Sequence, residues 1–147
     1  MEPDMHRRAE IMQWRKAERQ HRIAARLATP AEERRRHAAA MALVFRRWWP
    51  GATMLSGVWN IPVPAEGIDV MPDVVVSPVV GFDPACYRLG YGGGFYDRTL
   101  AAMARQPRVI GVGFALAAIA TIHPLPHDIP MQAIVTERGC SVPRDNA

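Results

Sequence analysis

The sequence predicts an α/β chain built on a parallel sheet, with helices ahead of it, and three observations carry that reading. An apolar, β-branched run occupies 73–80, a glycine-rich loop opens into a helical pattern at Phe95, and a second apolar run follows at 108–114. Strand, loop, helix and strand in that order make a βαβ unit, with a ligand loop expected at the carboxyl end of the first strand. A short third strand is expected at 133–136, after a loop that contains His123, His127 and Asp128.

The first element is a helix over 10–27, where Ile11, Trp14, Ile23 and Leu27 form an apolar stripe between basic positions. Thr29-Pro30-Ala31-Glu32 reads as the start of a second helix, with Thr29 as N-cap, Pro30 at the first position and Glu32 early in the turn. That helix continues through the alanine-rich 38–43. Residues 48–73, rich in Trp, Gly and Pro, are expected to be an irregular crossing segment. The 73–80 run has the composition of a buried parallel strand that ends or kinks at Pro78. The helix after the glycine loop is expected over 95–105. One domain accounts for residues 1–147, with 1–47 a basic helical part and 48–139 the strand and glycine-loop core.

The run Arg88-Leu89-Gly90-Tyr91-Gly92-Gly93-Gly94-Phe95-Tyr96-Asp97-Arg98 has four glycines in five positions. Glycine lets backbone N–H groups turn inward, and the helix that follows adds unpaired donors and a partial positive charge, so such a loop can wrap a polyanion. The spacing is neither Gly-Lys-Ser/Thr nor a clean G-x-G-x-x-G. A plain turn has no need of two guanidiniums and a carboxylate around it. Arg88 and Arg98 are therefore candidate clamps and Asp97 a candidate cation ligand.

Composition narrows the classes. A chain of 147 residues with 49% hydrophobic content can bury one real core. No apolar run is long enough to span a membrane and no secretory segment is evident, so a cytoplasmic protein is the expectation. Cys86 and Cys140 lack a paired spacing for zinc and read as ordinary thiols. Twelve of the eighteen basic residues lie in 1–50 against six acidic ones, and Lys16 is the only lysine. Those charges alternate with Glu and Ala with little aromatic interleaving, which argues against nucleic acid.

Taken together, Phe82-Asp83 through Arg98, His127-Asp128-Ile129-Pro130 and Ala133-Ile134-Val135-Thr136-Glu137-Arg138-Gly139 resemble the 5-formyltetrahydrofolate cyclo-ligase family, also called methenyltetrahydrofolate synthetases. The resemblance is best over 45–139. It implies a three-layer α/β fold and an ATP- and Mg2+-dependent conversion of 5-formyltetrahydrofolate to 5,10-methenyltetrahydrofolate, with release of ADP and phosphate. By the same resemblance, Arg88, Leu89, Gly90, Tyr91, Gly92, Gly93, Gly94, Phe95 and Tyr96 would hold ATP, and Tyr91 to Phe95 would also touch the folate. Asp97 and Asp128 would coordinate Mg2+, and Arg88, Tyr96 and Asp97 would carry the chemistry. The family's basic pair on the first helix fits Arg15 and Arg19, with Lys16 competing for the first role and Arg19 also reaching the substrate. His123 and His127 are read as structural.

The chain departs from the family pattern in one large respect. A strand, helix and strand that family members place after the N-terminal helices, including a folate-contacting glutamate, have no counterpart here. Val63 also stands where the pattern has Glu, and Gln132 where Asp is common. The expectation is a shortened form that keeps its ATP and Mg2+ elements better than its folate pocket. Its alternative is a non-catalytic homolog that binds nucleotide or a partner. An edge left exposed by the missing unit would favour pairing with a second copy.

Overall fold

The computed structural model describes residues 2–48, 54–55 and 71–143. Helix α1 spans Glu2–Ala28 and α2 spans Ala31–Trp48. The first helix begins well before residue 10 because the segment ahead of it is rich in good helix formers. Thr29 is not the N-cap of α2. Its hydroxyl instead donates to the Ala25 carbonyl at 3.2 Å, and the Arg34 guanidinium donates to the carbonyls of Leu27 and Thr29, so both residues close the end of α1. Last-turn carbonyls of a helix have no internal partner, and here they outcompete the cap.

Strands β1 (Met54–Leu55), β2 (Val74–Pro78), β5 (Arg108–Val112) and β6 (Ala133–Thr136) are parallel neighbours, and β7 (Gly139–Ser141) runs antiparallel to β6. The order across the sheet is β1-β2-β5-β6-β7. Strand β2 does end at Pro78, with Val74 beside Arg108 and Pro78 beside Val112. Strand β7 escaped the sequence reading. Its signal was the two-residue turn Glu137-Arg138 closed by Gly139, whose φ of 132° suits glycine. Most of the expected irregular segment at 48–73 lies outside the described residues, as does Val63. Within it, Met54 and Leu55 pair with β2.

The βαβ reading holds, with one correction. Between β2 and the glycine loop stands a small antiparallel hairpin, β3 (Gly81–Phe82) and β4 (Arg88–Leu89), so the loop leaves β4 rather than the main sheet. Helix α3 spans Phe95–Ala102 and stops short of Arg105, because Met103 turns extended and the Gln106 amide takes up the Leu100 carbonyl at 2.6 Å.

Three apolar clusters fix the layers. On one face of the sheet, Val74, Ile110 and Val135 pack with Met41 and Val44 of α2. On the other, Val79, Val109 and Ile134 pack with Leu100 of α3, Cys86 and Met131. Leu89, Ile119 and Ile122 receive Trp14 and Tyr87, so α1 lies on the hairpin and the segment through Ile122 rather than on the main sheet.

Asp83 ties these parts together. Its buried carboxylate accepts N–H groups from Ala85 and Tyr87 within the hairpin turn and from Ile122 across the molecule, all near 3 Å. Truncation would strip three donors, one of them buried. Asp83→Ala is expected to cost about 2–4 kcal/mol in urea unfolding. A loss below about 1 kcal/mol would mean the hairpin and the 122 segment are held by apolar contact alone.

Candidate active site

Two buried ion pairs frame the mouth where α1, the glycine loop and the 122–129 segment meet. Arg15 is only 6% exposed although it sits on a helix otherwise rich in exposed charge. Its Nε donates to the Ile122 carbonyl at 2.9 Å and its Nη2 to the His123 carbonyl at 2.8 Å. Nη2 also meets Asp128 Oδ2 at 2.5 Å, and Nη1 reaches Oδ1 at 3.4 Å. The Leu125 N–H completes the carboxylate at 2.6 Å. Burial by itself would raise the Asp128 carboxyl, but the hydrogen bonds from Arg15 and Leu125 and the charges of Arg15 and His127 hold it below the usual carboxylate range.

That shift has a sign. A carboxyl depressed in the folded state stabilises the fold above its unfolded value and loses that contribution as pH falls through its folded value. Urea midpoints are therefore expected to be level across neutral pH and to fall below about pH 4, with the fall diminished in Asp128→Asn. An unchanged acid limb in that variant would remove Asp128 as its source.

The second pair closes a ring. Arg88 Nη2 donates to Asp97 Oδ1 at 2.6 Å, Arg88 Nη1 donates to the Ile129 carbonyl at 3.2 Å, and the Ile129 N–H donates to the same Asp97 oxygen at 3.0 Å. Burial lowers the Arg88 guanidinium from its ordinary value while Asp97, Asp128 and Tyr96 pull it back up. Its Cζ stands 5.4 Å from the Tyr96 ring centre, and burial raises the Tyr96 phenol against the pull of Arg88.

The glycine loop lies between these pairs. Arg19 Nε donates to the Gly90 carbonyl at 2.6 Å, and a Cβ on Gly92, whose φ is 104°, would come within 3.3 Å of the Arg19 guanidinium. Gly94 enters α3 in the left-handed region at φ 62°, with no side-chain cap on the helix. A side chain at either position would be strained, and at Gly92 it would also crowd Arg19. Arg19 is held below its ordinary value by burial and then by the charge of Arg15. Arg19 thus meets the loop while Arg15 turns to the 122–128 segment, and Lys16 is exposed. The Leu89 side chain belongs to the core, and its carbonyl accepts the Val80 N–H. Arg98 is exposed, donates to the Gly93 carbonyl at 2.7 Å and lies 5.0 Å from the Phe95 ring centre, so it braces the loop from outside.

Among the described residues no group of three or more His, Cys, Asp or Glu is set for a metal. A magnesium ion is commonly held by one or two carboxylates together with substrate phosphates. Asp97 fits that role, since its hydrogen bonds among the described residues fall on Oδ1 rather than Oδ2. Asp128 fits only where Arg15 shares it. The sequence reading missed the carbonyls of Ile122, His123 and Ile129, since any residue type supplies them. Cys86 is buried, with its thiol pushed up to about 11 by burial first and then by Asp83 and Cys140, so it remains a neutral thiol.

Guanidiniums, carboxylates and a glycine loop meet at one mouth of a three-layer α/β domain. Residues 23–137 match the model of the 5-formyltetrahydrofolate cyclo-ligase family, and the chain belongs to that family. It is 33% identical over 100 residues to the 5-formyltetrahydrofolate cyclo-ligase of Escherichia coli K12, an overlap of 64% of this chain and 55% of that one. With the enzyme of the same name from Mycolicibacterium smegmatis it shares 38% over 76 residues, or 52% of this chain and 39% of the relative. The chain spans about half the length of the curated relatives it matches. The solved 5,10-methenyltetrahydrofolate synthetase of Mycoplasma pneumoniae superposes with a TM-score of 0.69 at 20% identity, over 84% of this chain and 98% of that one. That likeness establishes the fold. The family match begins at residue 23, so the glycine loop lies inside it and Arg15 and Arg19 lie before it.

Proposed function

We propose that the protein converts 5-formyltetrahydrofolate to 5,10-methenyltetrahydrofolate with consumption of ATP. The observation that carries this is the Arg88–Asp97–Ile129 ring at the foot of the glycine loop, within the part of the chain that matches the family. The oxygen of an N-formyl group is a poor leaving group. In the proposed sequence it attacks the γ-phosphorus of ATP and ADP departs. N10 then attacks the activated formyl carbon, loses its proton, and phosphate leaves as the new ring closes.

Little of this is covalent chemistry for the protein to do; positioning and charge neutralisation dominate. Arg88, buried and oriented from two sides, supplies a fixed positive charge. Backbone N–H groups of the glycine loop wrap the phosphates, Arg19 approaches the same loop, and Tyr96 and Phe95 flank its end. Mg2+, bound at Asp97 and the phosphates with Asp128 nearby, would supply charge neutralisation on the transferred group. A cytoplasmic location and pairing of two copies along a sheet margin go with this proposal. Among the described residues, strands β1 and β7 are those margins. No helix among the described residues is long and apolar enough to cross a membrane.

The short overlap with the curated relatives favours a second reading, a homolog that binds nucleotide without turnover. Absorbance in the methenyl-folate band, followed after mixing protein, 5-formyltetrahydrofolate and MgATP, separates the two. The proposal expects growth that requires ATP. Absence of growth from a folded sample that binds MgATP in calorimetry would leave the second reading.

A further inference from the structure

The segment from Ile122 to Ile129 touches both buried ion pairs of the mouth. At its start the carbonyls of Ile122 and His123 accept the Arg15 guanidinium, and the Leu125 N–H donates to Asp128. At its end Ile129 stands between Arg88 and Asp97, accepting from the first and donating to the second. Pro124 and Pro126 fix φ at two positions between, which makes the stretch a stiff strap rather than a loose loop. Pro124 to His127 also border a cavity of about 460 Å³ that they share with Arg7, Arg8 and Ile11 of α1.

Three features give this strap two arrangements. Arg15 is committed inward, with Nε, Nη1 and Nη2 all directed at the Ile122 and His123 carbonyls or at Asp128. Asp128 is equally committed, since Oδ2 accepts from Arg15 and Leu125 while Oδ1 faces Arg15 at 3.4 Å and His127 at 3.8 Å. Second, His123 holds a φ of 52°, a left-handed conformation that costs energy in a residue with a Cβ. It is kept there by Arg15 on its carbonyl and by the Trp14 ring, which meets the imidazole edge to face with centres 4.8 Å apart. Third, the cavity gives the strap room to move. Taking Arg15 away by itself would strand a buried carboxylate. A phosphate chain arriving with its counter-cation strands nothing, because Arg15 and Asp128 both exchange one opposite charge for another.

We propose that the 122–129 strap is a latch on the site, closed while Arg15 holds Asp128 and opened when nucleotide phosphates draw Arg15 away and the strap turns about His123 into the cavity; this rests on the cyclo-ligase reading of the mouth. Ile129 rides on the same strap, so the turn also moves it relative to Arg88 and Asp97, and the two ion pairs respond together. The closed arrangement lowers the apparent affinity for nucleotide by the fraction of molecules that are closed.

The test follows the Arg15 Nε–H by NMR in the isotope-labelled full chain, the signal being assigned by its loss in Arg15→Lys, while a non-hydrolysable ATP analogue is added with Mg2+. In the free protein that hydrogen lies on the carbonyl of Ile122, which is fully buried. On binding, its signal is expected to shift and its exchange with water to quicken about tenfold, with the Ile129 amide shifting along the same titration. His123 supplies a second arm. Glycine accepts φ 52° without strain and alanine does not, while both remove the imidazole ring. The analogue is therefore expected to bind about fivefold more weakly to His123→Gly than to His123→Ala, since glycine favours the closed latch. An Arg15 signal unmoved at calorimetric saturation, or equal affinities of the two variants, would overturn the latch, as would a folded chain that binds no analogue. Methenyl formation with the Arg15 signal unmoved would end the latch and leave the ligase reading standing. Opening of the latch without methenyl formation would support the latch and end that reading.

Discussion

Arg15→Met is expected to lower the stability of the fold by about 3–5 kcal/mol, because it leaves Asp128 buried without its counter-charge. For a chain of this size that corresponds to a fall in Tm of roughly 10–15 °C. The pair is sequestered, at 8% and 9% side-chain exposure, so water cannot easily replace what the substitution removes. The carbonyls of Ile122 and His123 would lose their donors as well. Arg15→Met combined with Asp128→Leu should recover much of the loss, since it removes the stranded charge together with its partner. Thermal unfolding of the two variants checks this. A single variant within about 1 kcal/mol of the parent would show that Asp128 finds water or another cation, and the pair could then not be the clasp of α1.

Asp97→Asn is the counterpart for chemistry. The amide keeps an oxygen for Arg88 and for the Ile129 N–H, so the ring survives in outline and unfolding shifts little. It loses the negative charge proposed to meet a cation beside the phosphates. In the methenyl-folate assay turnover is expected to drop about 10²–10³-fold, with weaker dependence on Mg2+ concentration. If turnover stayed within about threefold of the parent and its Mg2+ dependence were unaltered, Asp97 would be a strut of the glycine loop and nothing more.

The parts of this molecule that were legible in its sequence are those that periodicity and backbone freedom dictate. The β-branched run ending at Pro78, the apolar run after Arg108 and the glycines leading into Phe95 announce strand, strand and loop, because each property acts over a few neighbouring residues. Thr29 misled for a tertiary reason. Its hydroxyl faced two helix ends and bonded to the nearer carbonyl. The hairpin of β3 and β4 was hidden because two-residue strands carry too little alternation to register, and Cys86, at φ 61°, is not a residue that advertises a left-handed turn. At the site, the charged residue types pointed to Arg15, Arg88, Asp97 and Asp128. That the four are sorted into two buried pairs depends on which side chain can reach which, a property of the packed chain. The carbonyls that orient the guanidiniums have no signature at all.

The Arg15–Asp128 bond joins residues 113 positions apart, and among the described residues the first helix has no other deeply buried charge to secure it. During synthesis, α1 leaves the ribosome long before the residues that will receive it. Its Arg15 has no carboxylate to close upon until Asp128 follows. The site is therefore among the last parts of the molecule to come into being, and no N-terminal fragment short of that aspartate can carry the clasp. Contacts so distant in the chain also give folding a slow, late step, since a large loop must close before its reward arrives.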